Sequence, residues 1–382
     1  MFIAKKYTSP RRSMLSRVSL ILLGILMITS MLFGDTAKAA GGSVRFVTVI
    51  MDGEKYPLTS GHPYAVNGST LIPFRMLTGK LGIQSSWINS TKSLEIQQNG
   101  NKMKLTLNSA VAWVNGTAVS LSTKVVQKDG YIMIPLDFVK NVLAADVKVD
   151  DTYGTVFIDT TGEELGNVDD FGRKIRTTNL PKNYKDYPYI LEDIPNEMYE
   201  MKTTWLSYAQ DAQTGAEMYK TQEVTSEDMA KIIDRMKKGY DIKLNVDYKT
   251  INPSSFAKEL YQYENQAISY RVVELENYAN WVKKNKIQIE GSIDPEPSMV
   301  YYSGISWYVR SKVRFKINSY SEYKDLISDG FFNNKNKLKK GVWYEGYADI
   351  GISTNHSKYP GEYMNLDALS SLFENSQLHE VK

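Results

Sequence analysis

The sequence predicts a signal peptide, then a β-rich domain of two strand-helix-hairpin units, then an α+β domain. Three observations carry this: a basic, apolar, small-residue leader, a self-match at an offset of 62 residues, and a late switch of the apolar period from helical to alternating.

Lys5, Lys6, Arg11, Arg12 and Arg17 precede an uncharged apolar run from Val18 to Gly34, and Ala37-Lys38-Ala39 then sets small residues at cleavage-site spacing. The run is at the short edge of what spans a hydrocarbon core, and no stop-transfer pattern follows it. Residues 1–39 are therefore expected to be cleaved after Ala39, which makes the chain exported, secreted or wall-associated, with no membrane span in the mature form. A retained anchor is the alternative. No Cys follows the apolar run, which excludes a lipid-attached cysteine.

The complete absence of Cys from the 382 residues rules out disulfides, thiolate nucleophiles and Cys-ligated metal together. The leader takes six of the 46 basic residues and one of the 43 acidic ones, so the mature net charge is −2 and the overall +3 is a leader effect. Without a basic stripe, nucleic acid is not an expected partner.

The self-match lays Gly68, Leu71, Ile72, Pro73, Leu77, Leu81, Trp87 and Ile96 on Gly130, Met133, Ile134, Pro135, Val139, Leu143, Val149 and Ile158. Each copy reads as a turn, a short apolar strand, a proline suited to the first helical position, a helix, and a hairpin. The helical faces are Phe74, Leu77 and Leu81, ended by Gly82, and then Leu136, Val139 and Leu143. Asp52-Gly53, Asn99-Gly100 and Asn115-Gly116 mark further hairpins.

Asn67-Gly68-Ser69-Thr70-Leu71-Ile72-Pro73-Phe74-Arg75, a following Leu-Gly and a Trp-centred hairpin resemble the copper amine oxidase-like N-terminal domain, also called the stalk domain. The resemblance covers residues 45–159. It implies an exported or cell-envelope protein of a Gram-positive bacterium such as a Paenibacillus relative. The second copy departs from the family, with Asp137 where Arg is usual and Ala144-Ala145 where Gly is usual.

The residues argue against copper amine oxidase activity despite that name. Such copper needs three histidines, and this chain has only His62, His356 and His379. The cofactor of that class forms from a Tyr in Asn-Tyr-Asp/Glu, whereas Asn183-Tyr184 and Asn277-Tyr278 are followed by Lys and Ala. No metal or cofactor is expected, and His62 reads as a solvated loop residue.

Residues 160–188 are polar and without period, a linker or irregular entry to the second domain, 189–382. Helices are expected near Ile194 to Met201, over Thr225 to Lys238 with Thr225 and Asp228 as a cap pair and Met229, Ile232, Ile233 and Met236 inward, and unbroken from Asn252-Pro253 to Lys284. Along the last, the apolar seam passes from Phe256, Leu260, Tyr263, Ala267 and Tyr270 to Ile268, Val272, Leu275, Ala279 and Val282. Strands follow at Ile287–Ile289, Val300 to Ile317 and Gly341 to Ser353, with a last helix from Asp367 to Glu374. Helix runs followed by strand runs indicate α+β.

The second half contains no Gly-x-Ser-x-Gly, His-Glu-x-x-His, Walker or Ca-loop motif. A glycosidase needs only two carboxylates in one cleft, for which Glu290, Asp294, Glu296, Glu345 and Asp349 are candidates; the plainer reading is that they face solvent. Twenty-one of the 26 tyrosines lie beyond Thr160. Tyr301, Tyr302, Trp307, Tyr308, Trp343, Tyr344 and Tyr347 are the densest aromatic cluster and the candidate ligand surface, although alternate strand residues belong to the core. Lys335, Lys337, Lys339 and Lys340 form a basic loop suited to anionic wall polymer, or a solvated turn.

The leading expectation is a noncatalytic exported protein, its stalk-like domain a spacer or attachment module and its C-terminal half a binding domain for wall carbohydrate, another cell-wall polymer or an envelope protein. A secreted hydrolase with a carboxylate pair and a purely structural envelope protein are the rival expectations.

Overall fold

Asx-Gly pairs set the hairpins of the first half, because both turn positions need a positive φ that these residues tolerate. Asp52 and Gly53 adopt φ 51° and 79°, and Asn99-Gly100 and Asn115-Gly116 follow the same pattern. The computed structural model describes residues 45–57, 61–203, 211–266, 270–354, 364–368 and 370–381. The expected leader, His356, Trp205, Ala267 and Ile268 lie outside them. No helix among the described residues is long and apolar enough to cross a membrane.

Among the described residues, the first half, from Arg45 to Asp159, contains fourteen strands and two short helices. They are β1 (Arg45–Phe46), β2 (Thr48–Met51), β3 (Glu54–Lys55), β4 (Tyr64–Val66), β5 (Ser69–Pro73), α1 (Arg75–Thr78), β6 (Gln84–Ile88), β7 (Ser93–Gln98), β8 (Asn101–Thr106), β9 (Val111–Val114), β10 (Thr117–Ser120), β11 (Val126–Lys128), β12 (Tyr131–Pro135), α2 (Leu136–Asn141), β13 (Asp146–Asp150) and β14 (Thr155–Asp159).

They form three sheets, β1-β4-β5-β12-β11, β10-β9-β8-β7-β6 and β13-β14-β2-β3. The two strands that carry the offset match lie side by side, antiparallel, with Ile72 opposite Ile134. Pro73 and Pro135 close these strands and do not open the helices: each is paired in the ladder, and the helices start after Phe74 and Pro135 as N-caps. Phe74, Leu77, Leu136, Phe138, Val139 and Leu143 bury into one core with Leu94, Ile96, Leu105, Val156 and Ile158. Where Gly82 ends the first helix in left-handed geometry, Ala144 does so after the second, at φ 57°. An alanine there bears strain that glycine avoids.

The rest packs onto this module, and Val44–Lys382 is one compact unit. Residues 160–188 are irregular but packed: Val168 bridges Lys174, Ile175 bridges Leu191, and Arg173 is buried. Beyond come α3 (Asn196–Glu200), α4 (Gly215–Lys220), α5 (Ser226–Leu244), α6 (Pro253–Tyr261) and α7 (Arg271–Lys284). The strands β15 (Gln288–Tyr302), β16 (Trp307–Ser319), β17 (Trp343–Thr354), β18 (Met364–Leu366) and β19 (Ser376–Glu380) complete the chain. The last five make one sheet in the order β15-β16-β17-β18, with β19 beside β17. Helix α5 has the expected reciprocal cap between Thr225 and Asp228. It buries Met229, Ile232, Met236, Tyr240 and Leu244 with Ile293, Val313 and Phe315 of the sheet.

Three further expectations are corrected. The unbroken helix to Lys284 is two, because the backbone of 263–265 leaves the helix to pair with Leu366: Leu366 N donates to Tyr263 O and Asn265 N to Leu366 O, both at 2.8 Å. The long strand from Val300 is a hairpin that turns at 303–306, where Ser303 Oγ accepts from Ile305 N and Ser306 N. The last helix does not form. Ser371 Oγ captures Phe373 N and Glu374 N, and Asp329 captures Leu372 N, so side-chain oxygens take the amide protons a helix would use.

Candidate functional site

Two prolines decide the shape of β15. Pro295 and Pro297 cannot donate to a ladder, and pairing with β16 jumps from Pro295–Ser311 to Val300–Val309, leaving 296–299 as a bulge. Residues 290, 292, 294 and 296 share one strand parity. Of these, Ser292, Asp294 and Glu296 meet the first module: Ser292 Oγ lies 3.3 Å from His62 Nε2, and Asp294 and Glu296 reach Lys55.

Lys55 Nζ sits 2.8 Å from Asp294 Oδ2 and 2.5 Å from Glu296 Oε1. Arg173, itself buried, bonds Glu296 through Nη1 and Asp193 through Nη2 and Nε, the latter two at 2.6 and 3.0 Å. Lys237 of α5 stands 3.5 Å from Asp294 Oδ1 and donates to Thr48 Oγ1. Three cations thus face three carboxylates with no net charge.

Burial alone would raise the Asp294 pKa, but Lys55 and Lys237 overcome it and hold the carboxyl well below its ordinary range. Burial and Arg173 depress Lys55, yet Asp294 and Glu296 outweigh them and raise it. Lys237 is lowered by burial, with Asp294 opposing, and its side chain keeps 28% exposure.

Above this ionic floor lies a cavity of about 350 Å³. Strands β2 and β14 pair in parallel with Thr48 opposite Thr155 and Ile50 opposite Phe157, so one face of the pair lines the cavity while Val49, Met51, Val156 and Ile158 fill the module core. Helix α5 supplies Ala230, Ile233 and Lys237, β15 supplies Pro295 and Pro297, and Phe171 closes one side. Ile233, expected in the inner stripe, stands at its edge and faces this space. A mostly apolar wall over a few placed polar groups is the usual constitution of a small-ligand site.

The candidate acids do not share one cleft. Only Asp294 and Glu296 come together, and both are ion-paired. Glu290 binds Lys316 at 2.6 Å and Asn318 at 3.0 Å, Glu345 lies 3.8 Å from Arg314, and buried Asp349 takes Arg310 Nε at 2.7 Å and Nη2 at 2.9 Å. Burial raises Glu290, but its bonds to Lys316 and Asn318 prevail and lower it.

The aromatic cluster packs for the most part. Tyr301 and Tyr344 are buried, stacked on Tyr308 and Phe315, and Tyr301 OH donates to Asp349 at 3.1 Å. Tyr302 leans on Trp307, Arg314 covers Trp343 at 3.8 Å, and Tyr347 packs beside the Ile190–Tyr199 cluster. In the basic loop, Lys339 pairs with Glu380 at 2.7 Å and Lys340 lies over Tyr320. His62 is not a solvated loop residue: its ring packs 4.9 Å from Phe46, and burial, Arg314 and Lys128 lower its pKa to about 4.

Sequence reasoning missed Lys55, Arg173, Asp193 and Lys237. The readable signal was the shared parity of Asp294 and Glu296 on a strand interrupted by prolines, which announces a charged face needing counter-ions.

Residues 50–158 match the family described as the copper amine oxidase N-terminal domain, so the β-rich module is a domain of that kind. No curated protein and no solved structure matches the chain. The side chains do not fit a copper centre: among the described residues, no group of three His, Cys, Asp or Glu is placed to hold a metal ion.

Proposed function

We propose that the chain is an exported, noncatalytic envelope protein that binds an uncharged ligand, of the size of a short wall saccharide, in the cavity between its copper amine oxidase N-terminal-like module and its C-terminal half. The observation that carries this reading is the cavity itself, whose apolar walls come from both halves and whose ionic floor is already neutral. Asp150, Asp170, Glu227 and Asp234 also line the space, so an anionic ligand is repelled. A glycosidase needs one carboxyl kept protonated, and the cations around Asp294 favour the opposite state. On this reading the module is one wall of the binding site and more than a spacer, and the 62-residue offset match records a duplicated unit.

Two experiments test it. Fractionation with N-terminal sequencing of the exported product is expected to show a chain that begins at Ala40; a product confined to the cytoplasm contradicts export. Purified chain is expected to retain wall-derived neutral oligosaccharides without cleaving them. Hydrolysis that disappears in Asp294→Asn or Glu296→Gln would overturn the noncatalytic reading.

A further inference from the structure

The composition points to aromatics in the second half, yet the exposed tryptophans among the described residues are Trp87 and Trp113 of the first module. Trp87 lies opposite Leu94, in the row that continues through Leu105 and Ala112. Those three neighbours are buried, so Trp87 occupies a core-facing register on an edge strand and still remains 39% exposed. Beside it is a shallow hollow of about 520 Å³, lined also by Asn89, Lys92, Thr106, Asn108 and Gln127, with no carboxylate in its wall. Lys92 Nζ is held by Asn89 Oδ1 at 2.9 Å. The side chains of Thr106, Asn108 and Gln127 make no hydrogen bond to any described residue.

We propose that this hollow is a neutral-saccharide site, in which a pyranose ring lays its C–H face on the Trp87 indole and its hydroxyls pair with Asn108 and Gln127. An indole that buries area cheaply, set among uncharged donors and acceptors, matches a sugar's alternation of apolar faces and hydroxyl edges. The single cation is already bonded, so an ionised ligand gains little. Trp113 is the internal contrast: it is 49% exposed, but it lies opposite Lys104 in the other row of the same sheet, outside the hollow. This site is separate from the cavity above and stands or falls without it.

The test is titration of the purified chain with chitohexaose and with cellohexaose, with affinity read by calorimetry and location through the indole N–H resonances, that of Trp87 being assigned by its loss in Trp87→Ala. Saturable movement of the Trp87 resonance with at least one oligosaccharide is expected. Trp87→Ala is expected to weaken affinity about tenfold or more, Trp87→Phe less, and Gln127→Ala severalfold. Trp113→Ala and the cavity-filling Ile233→Trp are expected to leave the Trp87 signal unchanged. No saturation with either sugar at millimolar concentration overturns the proposal, as does an unaltered affinity in Trp87→Ala or an equal loss in Trp113→Ala.

Discussion

Lys55 of the first module places its ammonium 2.8 Å from Asp294 of the longest C-terminal strand, inside the seam. Removing one partner of a buried pair strands the other charge and costs about 3–5 kcal/mol. Lys55→Ala leaves both Asp294 and Glu296 short of a counter-ion. Its urea midpoint is expected to fall accordingly, with both halves unfolding together in the wild type; an unchanged midpoint contradicts the pairing.

Two groups near the seam give opposite pH dependence. Burial raises Asp241 to about 6 against its ordinary 3.8, with Lys128 opposing, so Asp241 withdraws stability as pH rises from 4 through 6. His62, lowered to about 4 from 6.5, withdraws stability as pH falls from 6.5 to 4. Each is worth about 3 kcal/mol at full effect. Between pH 4 and 6 they offset in the wild type. Asp241→Asn should unmask a loss on acidification and His62→Gln a gain, both read from thermal midpoints against pH.

The C-terminal strand depends on one glycine. Gly346 stands at φ 154° opposite Leu378, and a Cβ there would sit 1.8 Å from the Gln377 carbonyl oxygen. Gly346→Ala is therefore expected to expel β19 from β17. Amide exchange at 376–380 should become fast while β15 and β16 stay protected; retained protection at 376–380 refutes the clash.

What was legible in the sequence was local. Asp52-Gly53, the Thr225–Asp228 cap and the Asn252-Pro253 start each depend on a few adjacent residues, and each forms as read. The break after Tyr261 was visible only as a change of seam, because its cause is backbone pairing with Leu366. The helix expected at 367–374 had a plausible composition and lost its amide protons to Ser371 and Asp329. The seam was the least legible: Lys55 and Glu296 are 241 residues apart, and nothing near either one names the other.

Hydrogen–deuterium exchange of the purified chain, with and without a pool of neutral oligosaccharides released from cell walls, decides whether the seam cavity holds a sugar. Slowed exchange is expected at 226–240 and 153–157, the two walls of the seam cavity, with loss of that protection in Ile233→Trp, which fills the space. Oligosaccharide bound with no change at either wall, or protection that persists in Ile233→Trp, would contradict binding in that cavity.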